Sequence, residues 1–273
     1  LTREFLVDFV NAFILAVVEG ITEFLPISST GHLILVESLL SLGDDESFNK
    51  AFIVIIQFPA ILSVCLYFWR QLWPIREGKL DPDTVALWVK VVVAFLPAAV
   101  LGLLLDDFIE SLLDSEAVVA ITLILGGIIL ILIERREHTG ETASIKDLSY
   151  KQAVGIGLIQ CLAMIPGTSR SGATIVGGLL LGANRVVAAE FSFFLAIPTM
   201  VGATTLKVLK NGLNFSGHQW ALIALGSVVS FLVAYGVIAF LMAFIKKHSF
   251  SAFGVYRIVL GVIVLVMLMA KVI

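Results

Sequence analysis

The sequence predicts an all-α integral membrane protein built as an inverted-topology repeat, each half a re-entrant helical hairpin plus three transmembrane helices. Three observations predict it. Of 273 residues, 59% are hydrophobic and 14% charged, with a mean hydropathy of +1.03; a soluble domain is nearer 45–50% apolar and about 25% charged. The apolar segments run roughly 17–25 residues, enough to cross about 30 Å of hydrocarbon as helix, and strand-like alternation is missing. The two halves of the chain also carry the same order of polar interruptions and prolines.

In order, Phe5 to Phe24 reads as a helix ended by Pro26 and the run Ser28-Ser29-Thr30-Gly31. A short helix follows from about His32 to Leu42, too short to span, so the chain returns to the side it entered from. After the acidic loop Asp44, Asp45 and Glu46, spans are expected at Ala51 to Trp69, interrupted by Pro59, and at Thr84 to Leu105, interrupted by Pro97, with a polar loop between. A second acidic connection (Asp106, Asp107, Glu110, Asp114, Glu116) leads to the span Ala117 to Ile133, where Gly126-Gly127 allows close helix contact. The polar linker Glu134 to Lys151 marks the midpoint. Beyond it come an apolar segment from Ala153 to Ile165, the motif PGTSRSG, a short segment from Ala173 to Leu181, and spans near 187–206, 219–245 and 252–272.

The chain is read as one membrane domain over 1–273, with pseudo-repeats 1–134 and 152–273. Pro26-Ile-Ser-Ser-Thr-Gly corresponds to Pro166-Gly-Thr-Ser-Arg-Ser-Gly, Phe52 and Pro59 to Phe191 and Pro198, and Leu125-Gly126 to Leu260-Gly261. An odd number of crossings per half inverts the second relative to the first, as in many transporters. One side of this topology collects ten basic residues, among them Arg70, Arg76, Arg135, Arg136, Lys246 and Lys247, and the other five. The richer side is then the cytoplasm, and the termini and the mouth of the first hairpin face outward.

A net charge of −3 argues against a nucleic-acid partner. A cleavable signal peptide is not expected, because the first apolar run lacks a basic start and a small-residue cleavage site. Cys65 and Cys161 read as small packing residues, neither near a second cysteine or a histidine at ligand spacing.

Two polar stretches carry the chemistry, because polar groups at membrane depth must face protein or a water-filled cavity. Glu19 and Glu23 are four apart and project from one helix face. They can share a divalent metal, or one can hold a proton; solvated glutamates at a helix end are the plainer account. Ser28, Ser29, Thr30 and His32 follow. A hydroxyl within reach of an imidazole is the minimum for an activated nucleophile, while Ser29 or Thr30 could also cap the short helix. Arg170, in PGTSRSGAT, has a fork suited to phosphate oxygens, and Gly167 and Gly172 let backbone approach a ligand. A structural salt bridge from Arg170 to Glu19 or Glu23 is its competing role. Gln57 and Gln160 read as interhelix hydrogen-bonding residues, Asn184, Arg185 and Glu190 as capping and interface residues. Arg257 reads as a side chain snorkelling to an interface.

EGITEFLPISSTGH together with PGTSRSGAT closely resembles the undecaprenyl-diphosphatase family of bacterial membrane enzymes, known for bacitracin resistance, and the resemblance covers essentially the whole chain. It implies dephosphorylation of undecaprenyl diphosphate to the monophosphate in the inner membrane, recycling the lipid carrier for peptidoglycan synthesis. It also implies dependence on a divalent cation and an active site opening to the outer face. By motif position the functional glutamates fall on Glu19 and Glu23, the loop serine on Ser29, the histidine on His32 and the phosphate-binding arginine on Arg170, with Ser169, Ser171 and Thr174 alongside. In the expected mechanism Arg170, the hairpin N–H groups and the hydroxyls of Ser28, Thr30, Ser169, Ser171 and Thr174 bind the diphosphate. Mg²⁺ or Ca²⁺ sits on Glu19 and Glu23, and Ser29 attacks the terminal phosphorus with His32 as base. Attack by His32 itself or by water is equally allowed. The rival function is a lipid-phosphate transporter or flippase using the same cavity. A broader lipid-phosphatase reading rests on STGH alone, without the upstream Lys–Arg–Pro motif or downstream Arg–His pair. The partners expected are the lipid substrate and the bilayer, and a homodimer is one assembly open to the chain.

Overall fold

The computed structural model describes residues 3–37, 39–43, 45–105, 115–136, 142–211 and 214–271. Asp44, Asp106, Asp107, Glu110, Asp114 and His138 lie outside those residues.

Helix α1 (Arg3–Thr22) is followed by a turn through Pro26, after which α2 (Ser29–Glu37) runs back. It starts three residues before the expected His32, because Ser28, not Ser29 or Thr30, provides the cap: its Oγ accepts from the N–H of Gly31 at 3.4 Å. Helix α3 (Glu46–Tyr67) is capped by Asp45 and carries Pro59 inside. The polar loop after it is more ordered than its composition indicates. It holds a single turn, α4 (Trp69–Leu72), and a hairpin of β1 (Ile75–Arg76) with β2 (Lys79–Leu80). Glu77 and Gly78 both have positive φ there, as a two-residue hairpin turn requires. Helix α5 (Pro82–Leu104) starts with proline in its first turn, and α6 (Glu116–Glu134) is capped by Ser115. In the linker, Lys146 Nζ donates to Asp83 at 2.7 Å, which holds the ammonium above its ordinary pKa.

In the second half a Ser149–Gln152 capping box starts α7 (Tyr150–Gln160), which tightens into a 3₁₀ turn over Cys161–Met164. Then come α8 (Arg170–Leu180), α9 (Arg185–Asn211), α10 (Gly217–Phe244) and α11 (Ser251–Met269). Asn184 accepts from the N–H of Val187 and so caps α9 as expected. Seven helices among the described residues are long and apolar enough to cross a membrane: α1, α3, α5, α6, α9, α10 and α11. That is one more than the six full spans expected, because α1, the first arm of the first hairpin, has the length of a span. Val92, Leu96, Val100 and Leu132 are exposed, as lipid-facing residues would be. The protein is an all-α, multi-pass membrane protein.

Small residues set how the helices approach one another. On α6 and α11, a Cβ on Gly127 would stand 2.5 Å from the carbonyl oxygen of Gly254, and one on Gly254 would stand 2.8 Å from that of Gly127. Neither position tolerates a side chain, so the expected contact at Gly126-Gly127 is realised with α11. The packing pairs repeat between the halves: α1 lies on α10 as α7 lies on α5, α3 on α10 as α9 on α5, and α2 on α11 as α8 on α6. At the linker-side ends of α6 and α9, the buried carboxylate of Glu134 accepts two bonds from Arg185 Nε and one from Nη2 at 2.7 Å. It also accepts from the backbone N–H of Phe250, just before α11. Cys65 and Cys161 are free thiols.

Candidate active site

The two polar turns meet inside the bundle. Helix α1 delivers Glu19 and Glu23 one turn apart; Glu23 lies just past the helix end, yet its N–H still bonds the carbonyl of Glu19 at 3.0 Å. Phe24, wholly buried against Phe193 with ring centroids 5.7 Å apart, pins the turn in place.

Glu23 is the hub. Its Oε2 accepts from the hydroxyl of Ser29 at 2.8 Å and its Oε1 from Arg170 Nη2 at 3.1 Å. The guanidinium also donates from Nη1 to the carbonyl of Ser192 at 3.1 Å, and packs 5.8 Å from the centre of the Phe24 ring. The salt bridge weighed as Arg170's competing role is therefore present, to Glu23. Glu19 is fully buried beside Glu23, and neither of its oxygens has a hydrogen-bond partner among the described residues. A buried polar group is rarely left so unless something else completes its environment.

The two turns share a backbone device. Ser28 and Ser169 have φ of 71° and 72°, a left-handed conformation that costs a non-glycine residue about 1–3 kcal/mol. Each turns its hydroxyl into the cap of the next helix, Ser28 on Gly31 and Ser169 on Gly172. Ser29 and Arg170 thereby become the first residues of α2 and α8, and both point at one carboxylate.

The remaining expected site residues divide. His32 does not meet Ser29. Its Nδ1 faces the carbonyl of Ser28 at 2.7 Å; a carbonyl only accepts, so that nitrogen carries the proton, and Nε2 is hydrogen-bonded with the hydroxyl of Tyr256 at 2.7 Å, as the acceptor when the ring is neutral. The rings of His32 and Tyr256 stack 5.5 Å apart. The expected Ser29–His32 pair is thus replaced by Ser29–Glu23, because the imidazole is turned toward α11. Ser171 and Thr174 are fully buried, and their hydroxyls are engaged by protein: Ser171 donates to the carbonyl of Leu25 at 2.8 Å, and Thr174 bonds Ser192 Oγ at 2.6 Å. Thr174 Oγ1 also lies 2.9 Å from the backbone carbonyl of Arg170. Ser169 bonds Ser171 at 3.1 Å, and Thr30 is half-buried at the start of α2.

Arg257 does not snorkel. It is 1% exposed and donates to backbone carbonyls in both turns. An arginine inside an apolar run was the same signal that singled out Arg170; its place near the start of a span disguised it. Tyr256 carried no comparable signal.

A cavity of about 670 Å³ reaches this centre. Its inner end holds Glu23, Arg170, Gln57, Gln160 and Thr199, and its walls, including Phe95, Leu103, Met200, Leu206 and Leu209, are apolar. Gln160 accepts from Thr199 at 3.5 Å, in keeping with its interhelix reading. Among the described residues no three His, Cys, Asp or Glu side chains gather as a metal cluster. The Glu19–Glu23 pair does suit a hard divalent cation, since such ions are commonly held by one or two carboxylates with substrate phosphate oxygens completing the sphere.

The family model described as bacitracin resistance protein BacA matches residues 12–263. The chain is 51% identical over 263 residues to undecaprenyl-diphosphatase 1 of Clostridioides difficile, covering 95% of this chain and 96% of that one. It is 54% identical over 263 residues to an undecaprenyl-diphosphatase of Fusobacterium nucleatum, covering 93% and 98%. It is 48% identical over 266 residues to an undecaprenyl-diphosphatase of Enterococcus faecalis, covering 95% and 96%.

Proposed function

The chain belongs to the bacitracin resistance protein BacA family, and from that premise we propose that it hydrolyses undecaprenyl diphosphate to undecaprenyl phosphate and inorganic phosphate. The observation that carries the chemistry is Glu23 contacting both Ser29 and Arg170 at the inner end of an apolar-walled cavity. A polyprenyl diphosphate has this polarity, a charged head on an apolar tail.

The fork of Arg170 and the free N–H groups at the start of α8 bind the terminal phosphate, competing with Glu23 for the guanidinium as they do so. Glu23, released toward Ser29, takes the hydroxyl proton as Oγ attacks the terminal phosphorus. The Oγ–P bond forms while the bond from that phosphorus to the bridging oxygen breaks, and undecaprenyl phosphate leaves. Water then cleaves the phosphoserine, freeing inorganic phosphate and returning the proton to Ser29. His32, bonded to Ser28 and Tyr256, holds the turn in register. A Mg²⁺ or Ca²⁺ on Glu19 and Glu23 would neutralise charge on the phosphate oxygens.

The inverted repeat with re-entrant hairpins remains our reading of the topology. Its support is the mirrored packing of the halves and the matched φ of Ser28 and Ser169. The helical multi-pass fold supports an inner membrane location, and the bias in basic residues supports a cavity opening outward, between the ends of α5 and α9 that carry Leu103 and Leu209. Both turns come from one chain, so a homodimer would be an assembly of complete sites.

Purified protein in detergent, given a polyprenyl diphosphate, tests the function. Phosphate release that a chelator stops is the expected result. Lipid binding without release would instead favour the carrier reading, which the Ser29–Glu23 contact and the names of the relatives do not.

A further inference from the structure

Arg257 is the largest fully buried side chain in the described protein. Every acceptor it has is a backbone carbonyl: Pro26 from Nη1 at 3.3 Å, Gly167 and Thr122 from Nη2 at 3.0 and 3.2 Å, and Leu123 from Nε at 3.4 Å. No carboxylate pairs with it among the described residues. A buried cation without an anion is expensive, and hydrogen bonds must offset the cost; Arg257 makes four of them with its five N–H groups.

The acceptors belong to three different parts of the site. Pro26 is in the first turn, Gly167 in the second, and Thr122 and Leu123 are on α6. One planar fork thus reaches both turns and fastens them to the α6–α11 pair, whose own spacing is fixed by Gly127 and Gly254. Gly126 makes the room, since a Cβ there would overlap the guanidinium, and a Cβ on Gly172 would stand 2.8 Å from Nη1. Thr122 reinforces the tie, its hydroxyl donating to the carbonyl of Pro166 at 2.6 Å. Ser29 follows Pro26 by three residues, and Arg170 follows Gly167 by three.

We infer that Arg257 is a positioning residue for the hydrolysis proposed above: it sets the gap between the two turns, so that Glu23 reaches Ser29 and Arg170 together. The inference rests on that reading of the site. A lysine keeps the charge but offers one point of donation, so it cannot bridge both turns. A 1 Å misplacement of reacting groups can cost about 100-fold in rate.

The test compares wild type, Arg257→Lys and Thr122→Val in phosphate release from a polyprenyl diphosphate, with melting temperatures measured in the same detergent. We expect Arg257→Lys to lose about 100-fold in kcat/KM, shared between a higher KM and a lower kcat. Thr122→Val should move both parameters in the same direction by a smaller factor. Inhibition by the corresponding polyprenol, which has the tail without phosphates, should be unchanged in both. A purely structural role would lower the active fraction and leave KM where it is. Wild-type KM in both variants would therefore overturn the inference, whatever happens to kcat. Should Arg257→Lys fail to fold, KM in Thr122→Val decides alone. Failure of the wild type itself to release phosphate would overturn the hydrolase reading instead.

Discussion

The turn from Glu23 to Ser29 and the turn from Pro166 to Arg170 are nearly the same backbone put to different uses. Each has a proline, a left-handed serine that caps the next helix, and a functional candidate as that helix's first residue. The first presents a hydroxyl beside two carboxylates, and the second presents a guanidinium. The difference shows what the shared backbone accomplishes: it aims one side chain from each half at a common point, and the identity of that side chain then sets the chemistry. The contrast lies at one equivalent position, Ser29 against Arg170, and in Glu19 and Glu23, which have no carboxylate counterpart in the second turn.

The largest effect that would break this comparison comes from the group both turns share. Glu23→Gln removes the proton acceptor at Ser29 and leaves Arg170 unpaired, so kcat should fall by roughly 10²–10⁴-fold. A variant with near-normal turnover would exclude Glu23 as the base. Next, Arg170→Lys should lose on the order of 10²–10³-fold in kcat/KM, since a point charge cannot hold two phosphate oxygens as the fork does. Steady-state kinetics on both variants would show whether the turns contribute comparably.

A smaller effect sharpens the role of His32. Tyr256→Phe removes one hydrogen bond, worth about 1 kcal/mol, and should reduce activity by less than about tenfold. A loss as large as that of Glu23→Gln would mean that the imidazole acts in the chemistry. The smallest effect concerns the backbone alone. Ser28→Ala and Ser169→Ala each lose a cap at a strained position and should each destabilise by about 1 kcal/mol. Glycine at either site should be better tolerated, because it adopts positive φ freely. Thermal melts that differ strongly between the two sites would show that the turns are less alike than their angles.

Much of the site was legible because hydrocarbon makes polarity conspicuous. Glu19, Glu23, Ser29 and Arg170 stood out as groups that do not belong in an apolar run, and Gly126-Gly127 stood out as a place for a close helix neighbour. What local pattern cannot carry is rotation and partnership. His32 meets Tyr256 across 224 residues, and neither neighbourhood hints at the other. The hydroxyls of Ser171 and Thr174 read as ligands because nothing in the sequence says which way a helix faces; in the fold they bond the carbonyl of Leu25 and Ser192 Oγ. Arg257 misled for a related reason. Distance along a helix from its end says little about depth when a neighbouring Gly126 leaves space for the side chain to turn inward.

The linker side of the bundle is fastened by a buried carboxylate. Glu134, buried and bound to Arg185 and to the N–H of Phe250, joins the linker-side ends of α6, α9 and α11, whereas the cavity emerges at the opposite ends of α5 and α9. Parting the linker-side ends would break the contacts of Glu134 with Arg185 and Phe250, which disfavours a form open on that side. In mechanical terms the protein resembles a clothes peg with its spring at the linker side: the mouth of the cavity forms the jaws, by which the proposed lipid substrate would both enter and leave.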